Sequence, residues 1–303
     1  MRFRKLGNTG FDVSVDSFGT WQLGGGRWRT AGSEENIELL RHSLDLGINL
    51  YDAAVVYGQY RDTSLNLQSR SQELLGEAFG KSRSKVFYCI KIGQFDEFSH
   101  RALFEPGRLV EQFQQSLRRL KTDYIDICLI HAPSLTEVRR GAALGVVKTL
   151  QALSLVRAVG YSFENEPHHV LSAIRQDIDV IMLQYNMLDR ECAEAIEKAR
   201  VAGIGILVGG PLKRGYLSGQ YQSINDLPLE DDYWRWNLDH NPGKVEATLS
   251  QVRDLMRPFS TARDFRKHAL QFVLTKVGVA SAVIGHRCIS EVQENIQLSE
   301  EVV

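Results

Sequence analysis

Short apolar runs alternate along the chain with longer stretches whose apolar residues recur at helical spacing, and a loop bearing Gly or Pro separates each from the next. The apolar runs predict strands over Asp16–Thr20, Ile48–Asp52, Val86–Lys91, Tyr124–His131, Val156–Tyr161, Val180–Gln184, Ile204–Val208 and Ala282–Ile284. Between them, Ser33–Leu46 reads as a helix capped by Ser33, with Ile37, Leu40 and Leu44 on one face and Gly47 as its stop. Pro106–Leu120 reads the same way, with Leu109, Phe113, Leu117 and Leu120 in one stripe. Ahead of the first unit, Arg2–Leu6, the turn-prone Gly7-Asn8-Thr9-Gly10 and the alternation over Val13–Phe18 predict a short β-hairpin.

Strands that alternate regularly with helices are what a parallel (β/α)8 TIM barrel requires, so residues 1–303 are expected to form one barrel domain with an N-terminal hairpin. An open doubly wound sheet would carry G-x-G-x-x-G after its first strand, and Gly24-Gly25-Gly26-Arg27-Trp28-Arg29 lacks the third glycine. The stretch Gly76 to Ser82 has three residues between its glycines instead of the four of a phosphate loop. The longest segment without periodicity, Leu217 to Pro242, reads as irregular and holds Tyr221, Tyr233, Trp234 and Trp236, which predicts a functional loop on the catalytic face.

Composition narrows the ligand. Lys plus Arg number 36 and Asp plus Glu 37, a net charge of −1, which argues against nucleic acid or an anionic membrane as partner and favours a small molecule. Cys89, Cys128, Cys192 and Cys288 form no C-x-x-C pair and read as buried and reduced. The basic start Met1-Arg2-Phe3-Arg4-Lys5 runs into Gly-Asn-Thr-Gly instead of an apolar stretch, so no signal peptide is read and a cytoplasmic location is expected. His168 and His169 have no third ligand nearby and read as a solvated helix start, so no metal is expected. The oligomeric state is not legible.

Barrel enzymes carry their working groups at the carboxyl ends of strands, so polar residues that end apolar runs are the candidates. Asp52, Lys91 and His131 end three successive runs, and Tyr57 follows Asp52 by five residues. A phenol near pKa ~10 is a poor acid at neutral pH unless a cation stabilises its phenolate. Lys91 would be that cation, Asp52 would keep it protonated, and His131 could hydrogen-bond the oxygen that Tyr57 protonates. Protonating a carbonyl oxygen still leaves its carbon in need of a nucleophile, and no activated Ser or Cys is apparent, which points to a bound hydride donor. Lys91 acting alone as a Schiff base is the other chemistry open to a barrel, and the Asp52 and Tyr57 spacing argues against it.

These segments closely resemble those of the aldo-keto reductases. The resemblance is carried by Phe18-Gly19-Thr20-Trp21, by Tyr51 to Gly58, by Ser71 to Gly76, by Lys91-Ile92-Gly93 and by Asp123 to Pro133. It continues through Gln184-Tyr185-Asn186, Pro211 to Gly215, and Gly285-His286-Arg287 on to Glu294-Asn295. It implies Tyr57 as general acid, Lys91 lowering its pKa, Asp52 pairing with Lys91, and His131 orienting the carbonyl. It implies a nicotinamide dinucleotide, NADP(H) more than NAD(H), held by Gly19, Thr20, Trp21, Asp52, Ser162, Gln184, Gly209, Pro211, Leu212, Arg214, Gly215, Gly285, Arg287, Glu291, Glu294 and Asn295. Within that set Ser162 and Gln184 would meet the carboxamide, Pro211 to Gly215 the pyrophosphate, and Arg287 and Asn295 the adenosine end. The expected reaction is reduction of an aldehyde or ketone, a sugar or other polar carbonyl among them, to an alcohol.

The chain departs from the family pattern in four places. Gly209-Gly210 replaces the aromatic that stacks on the nicotinamide, Phe163 replaces an asparagine, Glu291 stands where Gln or Arg is usual, and the loop Gln59–Arg70 is long and polar. Trp21, Trp28, Phe95, Trp234 and Trp236 are candidate substrate walls, with Arg27, Arg29 and Arg61 as anchors for an anionic group. The alternative of a different class is a nucleotide-binding regulatory module that keeps the reductase fold, as potassium-channel β subunits resemble reductases.

Overall fold

The structure is a computed structural model and describes residues 1–63, 67–94 and 104–301. Two strands, β1 (Phe3–Lys5) and β2 (Asp12–Ser14), form the expected antiparallel hairpin. β3 (Asp16–Gly19) and β4 (Leu50–Ala54) open the barrel, a second hairpin of β5 (Gln59–Arg61) and β6 (Leu67–Ser69) interrupts it, and β7 (Phe87–Ile92), β8 (Ile125–His131), β9 (Val156–Ser162), β10 (Val180–Gln184), β11 (Gly205–Gly209) and β12 (Val279–Gly285) complete it. The eight barrel strands pair in parallel and in sequence order, and β12 returns to β3 to close the cylinder. This is the (β/α)8 architecture, with helices outside.

The N-terminal hairpin stoppers the end of the barrel away from the strands' carboxyl termini. Leu6, Phe11 and Val13 are buried with Leu50, Cys89, Ile127, Leu129, Met182 and Leu207 of the barrel interior. Phe11 stacks on Phe87 with ring centroids 4.8 Å apart, and Arg157 lies 4.3 Å over the Phe11 ring. Each fully buried side chain of this size contributes about 1.5–3 kcal/mol, so the hairpin is held mainly by its apolar face. A separate cluster of Trp28, Tyr216, Leu217, Tyr233, Trp234 and Leu249 covers the opposite end, at the strands' carboxyl termini.

Several boundaries differ from the sequence expectation. Asn49 turns its side chain into the hairpin, accepting Ser14 N–H at 2.8 Å and donating to Asp12 O at 2.8 Å, so the β4 ladder begins at Leu50 and Asp52 lies in mid-strand instead of ending it. β12 extends beyond Ala282–Ile284 in both directions, and within the extension Ser281 hides its hydroxyl 2.5 Å from Ser17 Oγ. The first helix, Ser33–Asp45, is capped by Gly32, not Ser33, because Glu35 is the residue three ahead whose carboxylate accepts Gly32 N–H at 2.9 Å. Its inward face is Asn36, Leu39, Leu40 and Ser43, with Ile37 and Leu44 only partly covered. Pro106–Leu120 falls as expected.

The stretch Leu217 to Pro242 is not irregular: it contains a 3₁₀ turn at Ile224–Asp226 and a helix at Asp232–His240. Tyr233 and Trp234 are adjacent and both buried, which hides any helical stripe. Within Gln59–Arg70 the described residues form the β5–β6 hairpin, tied to the helix at Pro106–Leu120 by Arg119, whose Nε donates to Gln68 Oε1 at 2.9 Å. Gly76 lies inside the helix Arg70–Phe79, where a Cβ would come 2.1 Å from Arg119 O, so it is a close-packing glycine. Cys89, Cys128 and Cys192 are buried, whereas Cys288 is exposed at the start of the last helix, correcting the expectation for that residue.

Candidate active site

The barrel brings Asp52, Tyr57, Lys91 and His131 to one point. Asp52 on β4 and Lys91 on the adjacent strand β7, two positions out of register, are 4% and 2% exposed, and Lys91 Nζ meets the two Asp52 oxygens at 2.5 and 2.6 Å. Burial alone would lower the Lys91 pKa, but the Asp52 carboxylate outweighs it and holds the ammonium pKa above its ordinary value. The Asp52 backbone is fixed in turn, its carbonyl accepting Thr20 N–H at 3.0 Å and Thr20 Oγ1 at 2.7 Å.

Tyr57 stands on the turn after β4, where its N–H donates to Ala54 O at 3.1 Å and its carbonyl accepts Ser69 Oγ at 3.1 Å. That turn returns the phenol over Lys91, whose Nζ is 3.0 Å from the hydroxyl oxygen. The Trp21 ring lies 6.0 Å from the Tyr57 ring, and His131 at the end of β8 presents its ring edge-on at 6.1 Å. No thiolate competes here: burial, reinforced by Asp52, pushes the Cys89 thiol well up, and burial raises Cys128 to about 12.

A groove of about 480 Å³ opens above these groups, a size suited to a small-molecule ligand. Ser162, Gln184, Gly209 and Gly285 reach it from the ends of β9 to β12, Pro211, Leu212, Arg214 and Gly215 from the loop after β11, and Arg287, Glu291 and Asn295 from beyond β12. Gly19, Trp21 and Asp52 also line it. Thr20 and Glu294 are not lining residues: Thr20 is buried against Asp52, and Glu294 accepts from Arg266 Nη2 at 2.6 Å.

Among the expected substrate walls, Trp21, Trp28, Trp234 and Trp236 line the groove, and Phe95 lies outside the described residues. Trp234 is only 1% exposed and sits edge-on among Tyr216, Tyr221 and Tyr233, so it backs the wall. Arg27 lines the groove, and Arg29 and Arg61 are not lining residues. Phe163 stacks on Tyr161 at 5.5 Å, filling with apolar surface the position where a polar side chain is usual. At Gly209 a Cβ would make only ordinary van der Waals contact, nearest Met182 Sδ at 3.7 Å, so no clash requires glycine there.

Sequence reasoning missed Gln22, Gln94, Glu164 and Arg266, all groove-lining. Nothing local marks them, because each reads as an ordinary surface polar residue until the fold turns it inward. Arg266 is 8% exposed, and its Nε and Asn295 Oδ1 are buried with no hydrogen-bond partner. Buried polar atoms without partners are rare, and the two residues that carry these both line the groove, which leaves unused polar capacity beside it. The polar adenosine end of a dinucleotide suits that capacity.

His286 sits between two lining residues yet faces the interior, 0% exposed, 4.9 Å from the Phe18 ring and without a partner on either nitrogen. Burial lowers its pKa from 6.5 to about 3. Between those values the unfolded chain binds one more proton than the folded one, so His286 costs stability as pH falls. Relative to His286→Leu, the wild-type protein should lose up to about 1.4 kcal/mol per pH unit on acidification through that range. Urea unfolding of both proteins at neutral and mildly acidic pH checks this, and a difference that does not change with pH would refute it.

The model of the Aldo/keto reductase family matches residues 17–303. Over 302 residues the chain is 32% identical to "Aldo-keto reductase YhdN" of Bacillus subtilis (strain 168), covering 95% of this chain and 85% of that protein. It is 28% identical over 318 residues to "NADH-specific methylglyoxal reductase" of Escherichia coli (strain K12), covering 96% and 91%. The holo form of aldo-keto reductase AKR11C1 from Bacillus halodurans superposes with a TM-score of 0.76 at 25% identity, covering 99% of this chain and 91% of that one. Fold and matches together define a (β/α)8-barrel oxidoreductase. The chain belongs to the aldo/keto reductase family.

Proposed function

We propose that this protein reduces a polar aldehyde or ketone, with Tyr57 as the proton donor. The observation that carries the reading is the 3.0 Å contact between Lys91 Nζ and the Tyr57 hydroxyl, backed by the buried Asp52 carboxylate. A nicotinamide dinucleotide, when bound, supplies the hydride that the carbonyl carbon needs. Tyr57 gives its proton to the carbonyl oxygen, which becomes the hydroxyl of the product alcohol. Lys91 stabilises the phenolate left behind until solvent returns a proton, and Asp52 keeps Lys91 charged and aimed. His131 orients the carbonyl by a hydrogen bond to its oxygen. The same groups run the reverse oxidation of an alcohol.

Ser162, Gln184 and the Pro211–Gly215 loop would hold the nicotinamide and pyrophosphate, and Arg266, Arg287 and Asn295 the adenosine end. NADP(H) over NAD(H) is the proposed preference, since the two arginines suit a 2′-phosphate. The E. coli relative carries an NADH-specific name, so the preference of this chain has to be argued from its own adenosine-end residues. A polar substrate is supported by Arg27, Gln94 and Asn237 beside Trp21 and Trp236 in the groove lining. The test is NADPH consumption by the purified protein over a panel of sugars, small aldehydes and ketones, with the alcohol product measured. Turnover dependent on a carbonyl is expected, and nucleotide binding with no turnover across the panel would favour the regulatory module instead.

A further inference from the structure

Asp231 precedes the helix Asp232–His240 in a polar segment, yet its side chain is completely buried. Its Oδ1 accepts Arg29 N–H at 2.6 Å and its Oδ2 accepts Arg287 Nη1 at 2.8 Å. One carboxylate thus ties together the loop after β3, the segment before this helix and the loop after β12, at the adenosine end of the groove. Beside it, Glu291 Oε2 accepts the Arg287 backbone N–H at 2.8 Å, and the Tyr221 hydroxyl bonds the Arg287 side chain. Partial burial would lower the Arg287 pKa, but Asp231 and then Glu291 outweigh it and hold it above the ordinary guanidinium value.

Arg287 therefore has a full negative partner before any ligand arrives. A 2′-phosphate reaching the same guanidinium, whose side chain is 38% exposed, meets a fully buried carboxylate that cannot swing into water and that already takes one of its N–H donors, so the two anions compete for Arg287 and repel each other. A 2′-hydroxyl brings no charge and meets no such competition; it can also donate a hydrogen bond to a carboxylate. We infer that Asp231 is a specificity-determining residue: by competing for Arg287 it keeps the preference for NADP(H) narrow and leaves NAD(H) a usable cofactor. The inference rests on the proposed reading of Arg287 as the group that meets the 2′-phosphate, and it concerns a residue outside the groove lining.

The experiment titrates NADPH and NADH separately into the full-length wild-type, Asp231→Asn and Arg287→Gln proteins, reading quenching of tryptophan emission, with thermal melts to show that each variant is folded. Asparagine keeps an acceptor for Arg29 N–H, removes the charge, and turns an amide NH2 instead of an accepting oxygen toward Arg287, which frees that guanidinium. The expected result is that Asp231→Asn tightens NADPH about tenfold, equivalent to about 1.4 kcal/mol, and changes NADH less than twofold. A folded Asp231→Asn protein in which the two affinities keep their wild-type ratio overturns the inference. Should that variant not fold, Asp231→Ser, which also keeps an acceptor, carries the same expectation and the same refutation. Arg287→Gln separates the two levels: if it leaves the NADPH to NADH ratio unchanged, the phosphate reading of Arg287 fails and takes the inference with it. If it lowers the ratio while Asp231→Asn does not raise it, the inference alone fails.

Discussion

Tyr57→Phe is expected to lower kcat for carbonyl reduction by roughly 10²- to 10⁴-fold, the usual contribution of a positioned general acid, with little change in stability or nucleotide affinity. The loss should be confined to chemistry because the hydroxyl is the only atom removed. The ring keeps its neighbours Trp21 and His131, and Lys91 keeps both Asp52 oxygens. Steady-state rates with the best carbonyl of the panel, together with NADPH titration and a thermal melt of the same preparation, check all three statements. A variant with more than a tenth of wild-type turnover would remove Tyr57 from the role. The pH profile adds an independent readout: reduction by the wild-type protein should fall as the phenol loses its proton on the alkaline side, and the residual rate of the variant should lack that limb.

The barrel was legible because parallel strands buried on both faces appear as apolar runs between helical stripes, and the eight runs keep the order in which the strands pair. Strand ends were less legible, for reasons that can be named. Asn49 spends its hydrogen bonds on the hairpin, which moves the start of β4, and the small residues Ala280 and Ser281 carry no apolar pattern although they lie inside the cylinder. Asp52, Lys91 and His131 stood out because a polar side chain within or closing an apolar run has few structural uses. Tyr57 had no such signal and emerged from its spacing to Asp52 and from the family resemblance. Arg266 and Asp231 were illegible for the opposite reason: a charged residue in a helix or polar loop looks solvated until distant elements close around it, and only the fold reveals that Asp231 faces Arg287.

The second large effect is expected at Lys91, and it separates catalysis from stability. Lys91→Met removes the cation from a pair that is almost fully buried and leaves the Asp52 carboxylate without its partner. Removing one partner of such a pair typically costs about 3–5 kcal/mol, because the remaining charge cannot be solvated. Asp52→Asn in the same chain removes that stranded charge, so the double variant should recover most of the lost stability, since neutralising a buried pair as a whole is often close to neutral. Catalysis should not follow. The phenolate of Tyr57 has no ammonium at 3.0 Å in either variant, so both should turn over at least 10²-fold more slowly than wild type. Urea unfolding of the wild type, the two single variants and the double variant gives the coupling energy between the residues, and single-turnover rates with saturating NADPH give the chemical step. If stability and rate recovered together in the double variant, Lys91 would matter only as a brace for the barrel, and the acid assigned to Tyr57 would need another source of its reactivity.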